Sequence, residues 1–341
     1  MFKTIAIEEA VGKVLAHDVT EIRPGEFKGP AFRKGHTIAA GDICHLQRLG
    51  KQHIYILDLP PDHLHEDAAA AALGEAFCGP GVMRQGAPRE GRVNLVAGRP
   101  GLLKVAAETL RQVNLLGEVM CASRHTDTIV AEGDVVAGTR AIPLALKADI
   151  VQRAVEAAQT VGGLFRVLPL RRAKTGLLIT GSEVFSHLIE DRFEPILRKK
   201  IAALGSEVVA VDFAPDDPEV IAAGIQKLMT AGADLILTTA GMSVDPDDVT
   251  REGIRRAGGE AACYGAPILP GAMFLSAEVA GVPVLGVPAC GLFHQTTILD
   301  LMLPRVLAGE RMTRDDIAGM GHGGLCLNCP ECQFPRCPFG K

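Results

Sequence analysis

The 341-residue chain has no tryptophan, two tyrosines and 12 phenylalanines. Unpaired bases are held by stacking on exposed aromatic faces, so a single-strand binding surface is not expected. A large excess of positive over negative charge is lacking too. The 35 basic and 40 acidic residues leave a formal net charge of -5, which gives no field to draw a nucleic acid. No run of about 18 apolar residues is free of charge, proline or glycine, and the nearest, residues 282–293, is short and interrupted. The opening Met1-Phe-Lys-Thr-Ile-Ala-Ile-Glu-Glu9 reaches acidic residues before a signal-peptide core could form. A cytoplasmic protein with neither membrane nor nucleic-acid partners is the expectation.

A hydrophobic content of 48% buries substantial cores, and the length favours about two or three domains. Residues 1–60 hold short apolar pieces broken by glycine and proline and read as a small β-rich module. The paired prolines Pro60 and Pro61 suit a boundary, since neither helix nor strand continues through them. Residues 61–150 read as a small α+β module, with an alanine-rich helix from Glu66 to Gly74 and strand-like runs near 92–96, 102–105, 118–122 and 128–130.

Between 170 and 310 the pattern changes. Residues 176–180, 207–211, 234–238 and 282–287 are short, nearly continuous apolar runs, as expected of strands buried on both faces. Between them Phe193, Ile196, Leu197, Ile201 and Leu204, and then Ile221, Ile225 and Leu228, recur at helical spacing and stop at Gly205 and Gly232. This βαβ alternation predicts an α/β fold, a three-layer, doubly wound, mostly parallel sheet preceded by the smaller modules. Ligands bind such sheets at the carboxyl ends of the strands. Those ends carry Thr180-Gly-Ser-Glu183, Pro215-Asp-Asp217, Thr239-Ala-Gly-Met-Ser243 and Pro288. Small-residue turns there present backbone N–H groups to a phosphate, and the acidic residues that follow need a cation such as Mg²⁺. A plain strand-to-helix loop, with Asp, Ser and Thr as turn formers and caps, has the same composition.

Taken together, Thr180-Gly-Ser-Glu183, Pro215-Asp-Asp-Pro218, Thr238-Thr-Ala-Gly-Met-Ser243, Pro246-Asp-Asp-Val-Thr250, Pro270-Gly271 and Gly286-Val-Pro288 resemble the molybdopterin-binding domain shared by molybdopterin adenylyltransferase and molybdopterin molybdotransferase. The resemblance implies binding of molybdopterin or its nucleotide form in molybdenum cofactor biosynthesis, either with Mg-dependent adenylyl transfer or molybdate insertion, or as a non-catalytic carrier that docks to molybdoenzymes. It places Asp216 and Asp248 in catalysis. It assigns ligand contacts to Thr180, Gly181, Ser182, Glu183, Thr239, Ala240, Gly241, Met242, Ser243, Asp245, Pro270, Gly271 and Pro288, and it is compatible with a homo-oligomer. Three departures stand out. Ala240-Gly241 replaces the usual Gly-Gly, Ala272-Met273 follows Pro-Gly where molybdotransferases tend to have a basic residue, and Pro288-Ala-Cys-Gly291 replaces a Pro-Gly-Asn-Pro-like turn.

Nine cysteines is an odd number, and four of them fall in the last 16 residues. Without an export signal, such crowding points to metal ligation and not to disulfides. Cys326, Cys329, Cys332 and Cys337 are spaced by three, three and five, and Pro338 follows. Two adjacent C-x-x-C steps suit Zn²⁺, and the order lies one residue from a ferredoxin-type [4Fe–4S] run, so both stay open. The glycines before this 320–341 tail read as a flexible joint and the tail as a mobile knuckle. Cys290 and His294 lie near the expected site but read more simply as turn or core residues. The basic run Arg198-Lys-Lys200 reads as a solvated helix face.

Overall fold

The computed structural model describes residues 3–23, 26–56, 59–239, 241–242, 245 and 248–341. It divides into two compact units, one of Met1–Arg99, Leu103–Arg124 and Val130–Val167, the other of Pro100–Leu102, His125–Ile129 and Leu168–Lys341.

Two separate cores fill the first unit. Ile7, Leu15, Phe32, Ile38, Leu46 and Ile54 form one, beneath the hairpin of Val19–Arg23 with Phe27–Phe32, the helix Asp42–Arg48 and the pair Lys3–Ala6 with His53–Ile56. The other lies between helices Glu66–Phe77 and Ala148–Thr160 and an antiparallel sheet ordered Val82–Arg89, Arg92–Ala97, Val135–Ala141, Val119–Ser123. Ala69, Leu73 and Phe77 recur every fourth residue, so all three drop onto that sheet and are fully buried.

At the start of helix Glu66–Phe77, His65, Glu66 and Asp67 bring ligand atoms within 4.8 Å of one another. The position a cation would take is filled by Lys34, whose Nζ lies 2.8 Å from His65 Nδ1 and 2.8 Å from Asp67 Oδ2. Burial, reinforced by the Asp67 charge, pushes the Glu66 carboxyl from its usual 4.5 up to about 7. A carboxyl raised on folding stabilises the protein fully below its unfolded value and loses that contribution as pH rises through the folded one. Stability should therefore fall between about pH 4.5 and 7, by at most about 3 kcal/mol from this group. Glu66→Gln should flatten that decline, which urea denaturation at pH 4.5 and pH 8 would reveal; an unchanged pH slope would rule out the burial effect.

The second unit is built on a six-stranded sheet. Its strands are β1 (Lys174–Thr180), β2 (Glu207–Ala214), β3 (Leu235–Thr239), β4 (Glu260–Tyr264), β5 (Leu275–Val279) and β6 (Val282–Val287), in the order β2-β1-β3-β6-β5-β4. The β2, β1, β3 and β6 neighbours pair in parallel, while β5 and β4 add an antiparallel edge. Side chains alternate faces along a strand, and here both faces are cores. Leu177, Ile179, Leu237 and Leu285 join one core with Leu197, Ile201 and Leu303. Their chain neighbours Leu178, Ile236 and Val284 join the opposite one with Ile221 and Ile225. Each fully buried Leu or Ile contributes about 2 kcal/mol, so a one-residue slip would exchange the two sets and is strongly disfavoured.

Helices α1 (Ser182–Phe185), α2 (Phe193–Ala203), α3 (Pro218–Thr230), α4 (Thr250–Arg256), α5 (Ile298–Leu307) and α6 (Arg314–Gly319) complete the unit. Asp217 caps α3, its Oδ1 accepting from the N–H groups of Glu219 (2.8 Å) and Val220 (3.2 Å), with Pro218 in the first turn. The basic run on α2 is not wholly solvated. Arg198 pairs with Glu194, but Lys200 turns inward to Asp300 (2.5 Å) and donates to the Gln295 carbonyl (2.7 Å), bracing the approach to α5. No helix among the described residues is long and apolar enough to cross a membrane.

Candidate functional site at the carboxyl rim of the sheet

Parallel pairing sets the carboxyl ends of β2, β1, β3 and β6 side by side, with Thr180 opposite Ala214 and Thr239 opposite Val287. The turns after these strands therefore share one rim. Beneath it lies a knot of threonines. Thr180 N–H donates to Thr239 Oγ1 (3.3 Å), the Thr180 hydroxyl donates to the Thr239 carbonyl, and it also lies 3.3 Å from Thr250 Oγ1 at the start of α4. All three are buried. Each uses its hydroxyl inside the protein, as buried polar groups must.

Above the knot the turns separate into two groups. The turn after β1 is closed on itself and on β2: Gly181 N–H donates to the Ala214 carbonyl (3.1 Å), Ser182 N–H to Asp216 Oδ2 (2.9 Å), and Asp216 N–H back to Ser182 Oγ (3.1 Å). The amides of Thr180, Gly181 and Ser182 are thus satisfied within the protein. Asp216 acts there as the closing acceptor.

The second group surrounds a cleft of about 720 Å³. Gly241, Met242, Asp245, Asp248, Pro270, Gly271 and Pro288 line it, joined by Ala272, Met273, Cys290 and His294. Thr180, Gly181, Ser182, Glu183, Thr239 and Asp216 are not part of its wall. Ala240 and Ser243 lie outside the described residues. No Lys or Arg is among the described residues of the wall, which carries the carboxylates of Asp245 and Asp248. Asp248 Oδ2 accepts from Asp245 N–H (3.0 Å) and Asp248 N–H donates to the Asp245 carbonyl (3.0 Å), so these two residues hold each other.

Close packing fixes the cleft walls. Gly241 has φ +59°, and a Cβ there would lie 2.2 Å from Thr250 Oγ1, inside the knot. Met242 is buried, its sulfur seated where a Cβ on Gly286 of β6 would be, and its carbonyl accepts from the Tyr264 hydroxyl (2.6 Å). The Arg251 guanidinium lies 3.8 Å above the Tyr264 ring, which holds the start of α4 to that wall. Burial pushes the Cys290 thiol above its usual 9.0, so it is a poor thiolate.

The tail forms part of this cleft, through Leu325, Cys326 and Asn328, which sequence patterning did not place there. It is docked, contrary to the expected mobile knuckle. Leu269 N–H donates to the Gly324 carbonyl (2.8 Å) and Cys326 N–H to the Leu269 carbonyl (2.8 Å), a short parallel bridge beside Pro270. Phe339 is 2% exposed and enters the core under α5. The glycines before the tail serve close approach: a Cβ on Gly324 would stand 2.5 Å from the Pro267 carbonyl oxygen.

An open α/β sheet with a ligand-sized cleft at its carboxyl rim is the class that these observations define. Within it, residues 176–308 match the family model described as "Probable molybdopterin binding domain", and residues 4–58 match a domain of unknown function, DUF8806. A CinA-like protein of Mycobacterium tuberculosis is 33% identical over 84 residues, which is 25% of this chain and 20% of that protein. The match thus spans about a fifth of that relative's length. Among solved structures, the tungsten cofactor synthesizing protein MoaB from Pyrococcus furiosus aligns at 18% identity and TM-score 0.32, over 41% of this chain and 98% of its own. The molybdopterin biosynthesis MoeA protein from Pyrococcus horikosii aligns at 16% identity and TM-score 0.34, over 91% of this chain and 75% of its own.

Truncating the tail's anchor tests the docking. Phe339→Ala should cost about 3 kcal/mol of local stability, and limited proteolysis should then cut after residue 320 well before the sheet. Equal protection of tail and sheet in the variant would contradict the anchoring role.

Proposed function

We propose that the chain binds molybdopterin, or its nucleotide form, in the rim cleft and serves in the making and delivery of the molybdenum cofactor. One observation carries this reading: the loops that follow β3, β4 and β6 in the resemblance to the molybdopterin-binding family, through Gly241, Asp248, Gly271 and Pro288, converge on a single cleft. Its apolar stretch at Ala272 and Met273 suits the flat heterocycle. Asp245 and Asp248 lie on one loop of a wall without described Lys or Arg, so an anionic ligand fits there best together with a divalent cation. Those two carboxylates would hold Mg²⁺, which supplies charge neutralisation at the ligand's phosphates.

Between adenylyl transfer or molybdate insertion and a carrier, two observations favour the carrier. Asp216, the second acid that transfer would call on, is outside the cleft wall and accepts from Ser182 N–H. Leu269, Phe293, Leu325 and Leu327, on the docked tail and the loops beside it, are 56%, 84%, 63% and 68% exposed, an apolar surface of the kind that partner proteins cover. A molybdoenzyme that receives the cofactor is the proposed partner.

Full-length protein purified without oxygen should carry a pterin, detected as its fluorescent oxidation product at about one per chain. Asp248→Ala should lower occupancy about tenfold, and ATP with added molybdopterin should release no pyrophosphate. Pyrophosphate release abolished by Asp248→Ala would replace the carrier with the transferase; absence of any pterin binding would remove both.

A further inference from the structure

All four tail cysteines, Cys326, Cys329, Cys332 and Cys337, line one cavity of about 330 Å³. Phe334, Phe339 and Pro338 close it on the tail side, and Phe293, Gln295 and Thr296, from the loop that leads into α5, close it opposite. Its described lining contains no Asp, Glu, Lys or Arg. The four thiols, with the His294 imidazole beside them, are the metal ligands on offer, in a mostly apolar shell.

The separation of the thiols distinguishes between ligands. Zinc bonds sulfur at about 2.3 Å, so four thiolates on one tetrahedral zinc stand about 3.8 Å apart. Among the described residues, the one group of three or more His, Cys, Asp or Glu ligand atoms within 4.8 Å of one another is His65, Glu66 and Asp67. No three of the tail sulfurs are gathered that closely, and His294 does not complete such a set. All four cysteines nonetheless line the same cavity. A cubane cluster binds each thiolate through a different iron, so its four cysteines are spread around a volume and not around an atom.

We propose that the tail is a binding site for one [4Fe–4S] cluster, ligated by Cys326, Cys329, Cys332 and Cys337. The site is built on the sheet domain: the Leu269 bridge places Cys326, the Phe339 anchor holds the chain that follows Cys337, and Lys200 bonded to the Gln295 carbonyl braces the opposite wall. The Thr296 hydroxyl lies 3.3 Å from Cys332 Sγ, placed to donate to a ligating sulfur, an interaction that raises a cluster's reduction potential. Leu325, Cys326, Asn328 and His294 line both this cavity and the rim cleft, which makes the cluster a direct neighbour of whatever the cleft holds. The assignment stands on the thiols and does not require the pterin reading.

Iron, acid-labile sulfide and zinc should be measured on the full chain purified without oxygen. About four irons and four sulfides per chain are expected, with a broad visible absorption that bleaches on reduction. Cys332→Ser should lose most of the iron, whereas Cys44→Ser, in the first unit, should keep it. Because Cys332→Ser could also release the tail, the unsubstituted protein stripped of metal should be offered ferrous iron with sulfide, and zinc, in competition. Recovery of the visible spectrum supports the cluster. A colourless protein with one zinc per chain, preference for zinc on reconstitution, or full iron retention in Cys332→Ser would overturn it. Pterin fluorescence is read separately, so loss of pterin with iron retained counts against the cleft assignment alone.

Discussion

Burial of the central strands on both faces is the constraint from which the second unit follows. Leu177 and Leu178 are adjacent in the chain yet belong to opposite cores, and the same holds for Ile236 with Leu237 and for Val284 with Leu285. A strand with no solvent face can neither slip nor turn over without pressing each set of side chains into the core packed around the other, which misfits both. Its ends are then fixed in height against its neighbours. Parallel pairing converts that fixed height into a common rim, where the turns after β3 and β6 meet in space although some fifty residues apart in sequence.

The threonine knot transmits this rigidity to the cleft. Thr180 ends β1, Thr239 ends β3 and Thr250 begins α4, and all three hydroxyls lie where water does not reach. Leaving one of them without a partner would cost about 1–3 kcal/mol, so the knot holds or fails as a whole. Gly241 lies against Thr250, and Thr250 N–H donates to the Gly241 carbonyl (3.1 Å). The position of the cleft wall is thereby set from inside the protein, before any ligand is considered.

Much of the sheet was legible because its central strands are nearly continuous apolar runs, and the α/β fold and mostly parallel order follow from their alternation with helices. Two strands were not legible. Glu260-Ala-Ala-Cys-Tyr264 and Leu275-Ser-Ala-Glu-Val279 form the antiparallel edge, where small and polar residues interrupt the apolar run although Leu275–Val279 is almost wholly buried. At the site, motif order led to Gly241, Asp248, Gly271 and Pro288 on one cleft, but it could not separate Thr180 and Asp216, which have the same residue chemistry and spend it on internal hydrogen bonds. Composition also misread the tail. Gly323 and Gly324 look like a hinge in sequence, yet a Cβ on either would collide with a backbone oxygen, a fact visible only once residues 267 and 341 are brought beside them.

The placement of the tail also bears on a cleft whose described wall has no Lys or Arg. In a site that holds an anion through Lys or Arg, the charge is fixed and the ligand's release must work against it. Here the described wall offers two carboxylates, apolar side chains and, through Cys326 and Asn328, the edge of a thiol-lined cavity. An anionic ligand would depend on a counter-cation that can leave with it, so affinity could be changed by altering the cation or the neighbouring cavity without rebuilding the sheet. Because Cys326 hydrogen-bonds directly to Leu269, next to Pro270 in the cleft wall, a change in what the cysteines hold is mechanically connected to the cleft through a single backbone bridge. Leu325, Cys326, Asn328 and His294 belong to both walls, so the two cavities are joined by shared residues as well as by that bridge.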